Sequence, residues 1–250
     1  MNKLFPALLF LLFATAVPMT AQTDLRFNGS STTAKMLKPV AAGIESTRGV
    51  RIVFTPNGTG HGVADLAAGQ ADVAMVTGTI EYFGKLLNEK TPGSIDLAKV
   101  RVFRLADLPA NAATAIVHPD ITVASLSRDQ LRDLFSGQIK NWKQVGGPDL
   151  PVVPIMPDAL DGVGAALTVM VMRDTPYAAQ TVRVGKATEL APLVEKTPGA
   201  IAFCSVANAT GGVAKVATVP QFIPPNYLVT IGEPGEPLKS VIADFVAQVK

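Results

Sequence analysis

Short apolar runs of β-forming residues alternate along the chain with longer stretches in which apolar positions recur at helical spacing. The runs predict strands near residues 24–28, 50–55, 71–77, 100–105, 112–117, 152–156, 200–206 and 214–219. The amphipathic stretches predict helices near 33–47, 62–68, 79–90, 127–135, 161–173, 187–195 and 236–249, with glycine and proline between them. One helix start is especially clear. Ser127 and Gln130 stand at capping-box spacing, Leu131, Leu134 and Phe135 give the turns that follow an apolar face, and Phe135-Ser136-Gly137 ends the helix. Strands alternating with helices predict an α/β protein, with parallel or mixed sheet wrapped by helices.

A different pattern stands ahead of this one. Lys3 precedes an apolar run from Leu4 to Val17, followed by small-residue sites at Ala14-Thr15-Ala16 and after Ala21. This is the arrangement of a secretory signal peptide over residues 1–21. The run is about 14 residues long, short of the roughly 20 that span a bilayer. No later segment replaces it, so the mature protein is expected to be exported and soluble. Cys204, inside the apolar run Ala200 to Ala207, is the one cysteine. It has no intrachain disulfide partner and reads as a small buried hydrophobe.

Composition narrows the function classes. With 48% hydrophobic and 17% charged residues over 250 positions, the chain has enough apolar surface for one large or two modest cores, which excludes disorder. A formal charge of +2 and no block of Lys or Arg argue against a nucleic-acid partner. No Ser/Gly linker divides the chain, so any two-lobe arrangement must use short crossovers.

Three turns between a strand and a helix carry candidate chemistry. Asn28-Gly29-Ser30-Ser31-Thr32-Thr33 would aim amides and hydroxyls at an anion, or would simply cap the helix that follows. Asn57-Gly58-Thr59-Gly60-His61-Gly62 imitates a dinucleotide fingerprint, but its third glycine falls one place early and Asp72 comes too soon to meet a ribose. Gly78 to Lys85 fails as a phosphate-binding P-loop because five residues separate its glycines and Leu86 stands where Ser or Thr must bind magnesium. In Asp161-Gly162-Val163-Gly164, the carboxylate is placed to cap a helix start. His61, His118 and one cysteine give no zinc spacing, and neither His-Glu-x-x-His nor Gly-x-Ser-x-Gly occurs. No metal, cofactor or catalytic residue is therefore expected. His118 reads as a strand-end residue and Trp142 as a packing anchor under a loop.

These turns, together with longer segments, carry a family resemblance. NGSSTT at 28–33, NGTGHGVADLAAGQADVAMVTGTI at 57–80 and ATAIVHPDITVASLSRDQLRDLFSGQIKNWKQVGGPDLPVVPI at 113–155 resemble the phosphate-specific substrate-binding subunits of ABC transporters. Thr197-Pro198-Gly199-Ala200-Ile201-Ala202-Phe203 resembles that family's return crossover. The resemblance implies a type II periplasmic binding-protein fold: two α/β lobes with a ligand cleft between them. It puts residues 24–108 and 199–250 in lobe one and 110–197 in lobe two. By position it assigns Ser30, Ser31 and Thr32 to the first ligand loop, Thr59 and Gly60 to the second, and Thr77 to the hydroxyl after the third strand.

The departures change the expected ligand. Where relatives carry an arginine, three residues and then Ser-Gly-Thr, this chain has Pro157, then Asp158-Ala159-Leu160, then Asp161-Gly162-Val163. In relatives the position of Thr77 is followed by an arginine or holds a carboxylate instead, but here Thr77 is followed by Gly78. Losing an arginine fork weakens oxyanion binding by about tenfold to a hundredfold. Asp161 repels a fully ionised ligand, yet accepts a hydrogen bond from a protonated oxyanion, a hydroxyl or an amine. The resemblance thus implies a periplasmic solute-binding protein taking a small polar ligand, phosphate or another oxyanion, at Ser30, Ser31, Thr32, Thr59, Gly60, Thr77, Asp161 and Gly162. Its partner would be an ABC permease. A transport-independent sensory or regulatory module of the envelope, with an envelope sensor as partner, is the alternative, and an exported enzyme would have only His61 and Asp161 as bases.

Overall fold

The structure, a computed structural model, describes residues 22–107, 112–173, 175–219 and 221–249; the expected signal peptide lies outside them. In the first lobe, β1 (Thr23–Gly29), β2 (Val50–Thr55) and β3 (Val73–Thr77) run parallel. β11 (Asn226–Ile231) pairs antiparallel with β3 and with β4 (Val100–Arg104), giving the order β2-β1-β3-β11-β4. Parallel neighbours need crossovers, and α1 (Ser31–Arg48) and α2 (Thr59–Ala67) supply them. Every residue of β3 is buried, as expected for a central strand covered on both faces. On one face Phe27, Leu37, Met75 and Leu228 pack with Phe245 of α7 (Leu238–Gln248). The Phe27 and Phe245 rings meet edge to face at 5.6 Å. On the other face Val63, Val76 and Val229 pack with Phe83 of α3 (Ile80–Lys90).

The second lobe is a six-stranded sheet. β5 (Ala113–Val117), β6 (Ser125–Ser127), β7 (Val153–Pro157), β8 (Val182–Val184), β9 (Ala200–Ser205) and β10 (Ala214–Val219) lie in the order β6-β10-β5-β9-β7-β8. The Ser127 capping box forms in both directions at the start of α4 (Arg128–Ser136): the Gln130 amide donates to Ser127 Oγ at 3.2 Å and the Ser127 amide to Gln130 Oε1 at 2.9 Å. Trp142 is fully buried, and its indole Nε1 donates to the Gly199 carbonyl at 2.8 Å, pinning the loop after α4 to the start of β9. α6 (Leu190–Lys196) covers the other face, where Cys204 is buried with Ile155, Leu190 and Val194.

Two expectations need correction. The return to lobe one was expected at residue 199, but β9 pairs with β5 on one side and β7 on the other, so it is an interior strand of the second sheet. β10 follows it there, and the chain crosses back between β10 and β11. The single helix expected over 161–173 is instead a short α5 (Gly162–Leu167) that widens into a π-turn at Thr168–Met172.

The lobes touch along α5. Ala165 is buried in the first lobe's cluster with Val63, Val76 and Phe83, although its neighbours Val163 and Leu167 belong to the second lobe's core.

Candidate functional site

The C-terminal ends of β1 and β3 and the first residue of β11 bring four polar side chains together beneath the first turn of α1. Ser30, the residue before that helix, accepts the Thr33 amide on its Oγ at 3.2 Å, the ordinary N-cap contact. Ser30 Oγ also lies 2.6 Å from Thr77 Oγ1, at the end of β3. Thr77 Oγ1 in turn donates to Asn226 Oδ1 at 2.7 Å, and Thr33 Oγ1 donates to the same oxygen at 3.0 Å. Asn226 is held by its own Nδ2, which donates to the Pro224 carbonyl at 3.1 Å. Ser30, Thr33, Thr77 and Asn226 are all buried, so the network fixes the hydroxyl floor of the cleft.

α2 and α5 meet above this floor through backbone. The Gly60 amide donates to the Leu160 carbonyl of the opposite lobe at 2.7 Å. A Cβ at Gly60 would fall 2.5 Å from the Leu160 side chain, and one at Gly162 would fall 2.4 Å from Thr59 Oγ1 and 2.6 Å from the Thr77 carbonyl. Glycine is required at both positions for the lobes to close this far. Thr59 Oγ1 also receives the Thr77 amide at 3.4 Å.

Asp161 caps α5. One carboxylate oxygen accepts the Val163 amide at 2.9 Å and the Gly164 amide at 3.1 Å. Part of the residue opens to the cleft mouth, yet burial of the carboxyl pushes its pKa up; the two amides oppose that shift and the charge of Asp158 adds to it.

Ser30, Ser31, Thr32, Thr59, Thr77, Asp161 and Gly162 line one interlobe pocket of about 10 Å³, and Gly60 closes its edge through the bond to Leu160. That volume has room for about one water. The site residues expected from the turns are therefore brought together. Sequence reasoning named Thr33 in the first turn but missed Asn208 in the pocket wall, the supporting Asn226, and Leu160. Asn208 Oδ1 accepts Lys35 Nζ at 2.7 Å, a second tie between the lobes. The mouth, a cavity of about 60 Å³, is lined by Asn57, His61, Asp158 and Lys186 among others. No described serine or carboxylate hydrogen-bonds to His61, so nothing orients it as a base. Among the described residues no cluster of His, Cys, Asp and Glu is arranged to hold a metal ion.

The sequence pattern of the PBP superfamily domain matches residues 15–244. The chain belongs to that family. The phosphate-binding protein PstS of Bacillus subtilis is 27% identical over 119 residues, which is 48% of this chain and 39% of that protein. PstS of Borreliella burgdorferi is 36% identical over 52 residues, 21% of this chain and 19% of that one. The matches thus span well under half the length of these relatives. Among solved structures, a putative phosphate ABC transporter substrate-binding protein with bound phosphate from Clostridium perfringens superposes with a TM-score of 0.74 at 19% identity, over 90% of this chain and 93% of that one. An ABC-type phosphate transport receptor from Vibrio cholerae gives 0.66 at 19% identity, over 90% and 94%. The CcmR regulatory domain of Synechocystis, in complex with 2-PG, gives 0.63 at 13% identity, over 92% and 98%. These structures establish the fold, a type II periplasmic binding-protein architecture of two α/β lobes, shared by transport receptors and regulatory domains. No described helix is long and apolar enough to cross a membrane.

Proposed function

We propose that the chain is a non-enzymatic, extracytoplasmic solute-binding protein whose interlobe cleft takes a small polar ligand, phosphate or another oxyanion, in a protonated form. One observation carries this reading: the hydroxyls of Ser30, Ser31, Thr32, Thr59 and Thr77 share a single pocket with the carboxyl of Asp161. Ser31, Thr32 and Thr59 donate to ligand oxygens, Ser30 and Thr77 having their protons in the floor network, and Asp161 accepts the ligand's proton. Its free oxygen replaces an arginine's attraction with a requirement for a donor on the ligand. With room for one water in the closed pocket, ligand entry requires the lobes to part, a hinge motion about the two crossovers. An ABC permease is the partner this reading implies.

A second reading, a sensory or regulatory module without transport, is favoured by the direct ties Gly60–Leu160 and Lys35–Asn208, which close the lobes through protein contacts alone. Equilibrium dialysis of ligand-stripped protein against phosphate, with and without the Thr32→Val substitution, tests the cleft. Saturable binding that the substitution abolishes supports the assignment; binding that Thr32→Val leaves unchanged removes it. Whether a permease is stimulated by the loaded protein then separates the two readings.

A further inference from the structure

On the far side of the Pro157–Leu160 loop lies a second interlobe cavity, about 130 Å³, lined by Tyr82, Asp158, Thr168, Tyr177 and Arg183. It is much larger than the hydroxyl pocket and shares none of the residues that line it. Tyr82 comes from α3 of the first lobe and the others from the second, so the cavity is shaped by lobe closure.

Its charges are unusual in being kept apart. Arg183 stands on β8 opposite Met156 of β7; its Nη1 donates to the Pro157 carbonyl at 3.3 Å, and its guanidinium carbon lies 5.0 Å from the centre of the Tyr177 ring. Asp158 accepts the Leu160 amide on Oδ1 at 2.8 Å. Each charge is thus anchored by a backbone partner, and among the described residues neither forms an ion pair. An arginine and an aspartate lining one cavity would pair if free to do so. Unpaired with each other, they leave a cation with unused donors and an anion with an unused oxygen lining the same space. Burial pushes the Tyr82 phenol pKa up; Thr168 and Arg183 oppose that shift and Asp158 adds to it. The rest of the wall is apolar or aromatic, with Met156, Pro157, Ala159 and the Tyr82 and Tyr177 rings. The Tyr177 hydroxyl is engaged with Thr168 Oγ1 at 2.8 Å and holds that ring in place.

We propose that this cavity binds a small zwitterion, an α-amino acid with an apolar side chain, as a site separate from the hydroxyl pocket. The ligand carboxylate meets the Arg183 fork, its ammonium meets Asp158, and its side chain lies among Tyr82, Met156 and Tyr177. Because Tyr82 belongs to the other lobe, occupation favours the closed arrangement. The inference goes beyond the oxyanion reading and does not depend on it.

The test is isothermal titration calorimetry of the ligand-stripped, refolded protein with L-leucine and L-phenylalanine. The controls are isocaproate, which lacks the amine, and isoamylamine, which lacks the carboxylate. The proposal predicts saturable binding of at least one amino acid, weakened about tenfold or more by either Arg183→Gln or Asp158→Asn, and about tenfold or more weaker for each single-charge probe. Asp158→Asn keeps an acceptor for the Leu160 amide, so its melting should match the unsubstituted protein, and circular dichroism should show both variants folded. Phosphate binding by Arg183→Gln should be unaltered, since Arg183 lines neither the hydroxyl pocket nor its mouth, and Thr32→Val should leave amino-acid binding intact. No saturable heat from either amino acid with folded protein overturns the proposal. Equal binding by both variants, or loss of amino-acid binding on Thr32→Val alone, does the same.

Discussion

The amide of Gly60 donates to the carbonyl of Leu160 at 2.7 Å, joining the helix after β2 in one lobe to the loop before α5 in the other. This contact and the approach of Gly162 to Thr59 define how tightly the cleft closes. Both depend on the absence of a side chain.

Replacing Gly162 by valine places its Cβ 2.4 Å from Thr59 Oγ1 and 2.6 Å from the Thr77 carbonyl, closer than real contacts allow. Since the clash lies between lobes and not inside a core, Gly162→Val should part the lobes and leave each folded. Small-angle scattering should show a larger radius of gyration with an unchanged far-ultraviolet dichroism spectrum. An unaltered radius would mean that closure does not run through this contact.

Thr77 anchors the hydroxyl floor, bonded to Ser30 and Asn226 in a buried setting. Thr77→Val keeps the shape but strips Asn226 Oδ1 and Ser30 of a partner, at a cost of about 1–3 kcal/mol. For a chain of this size each kcal/mol lowers Tm by about 2–4 °C. A melting temperature within a degree of the unsubstituted protein would show that the network adds nothing to stability.

Asp161 sets a pH dependence. Burial raises its pKa in the folded state above the ordinary value of 3.8, so folding favours the protonated acid. Its contribution to stability is fully present below 3.8 and is lost as pH rises through the raised folded value. Asp161→Asn retains a carbonyl oxygen to accept the Val163 and Gly164 amides and carries no charge. Thermal melts from pH 3.5 to 8, on the order of the carboxylate range, should show the asparagine variant gaining on the unsubstituted protein as pH rises. A constant gap across that range would place the titration elsewhere.

Cys204 is fully buried, and burial pushes its thiol up to about 12. Ellman's reagent at pH 8 should therefore react with it only on unfolding, at the rate of global opening. Prompt stoichiometric labelling of native protein would contradict the packing around β9.

Much of this architecture could be read from local signals. The Ser127 capping box, the strands over 50–55 and 214–219 and the turns at Ser30 and Thr59 are written in neighbouring residues, and all appear where their local chemistry puts them. β6 and β8, Ser125–Ser127 and Val182–Val184, are too short to show an alternation, and β11 begins directly after Pro224-Pro225, which signals a loop. The misplaced return crossover has the same origin. Thr197-Pro198-Gly199 looks like a break between lobes, but the Gly199 carbonyl accepts both the Trp142 indole and the Val153 amide, tying that turn into the second sheet. At the site, hydroxyls in strand-to-helix turns were legible because each turn is local. Asn226, Leu160, Asn208 and Lys35 join it only through pairings between residues distant in the chain, which no single window contains.

The central claim is that hydroxyls and a carboxyl acceptor together bind an oxyanion that still carries a proton. Calorimetric titration of ligand-stripped protein with phosphate and with sulfate, at pH 5.5 and at about pH 8, addresses it directly. Phosphate should bind saturably and more weakly at the higher pH as it loses its second proton, and sulfate, which has no proton to offer Asp161, should bind more weakly than phosphate at both. Equal binding of the two anions, or no saturable heat from phosphate at either pH, would contradict the account.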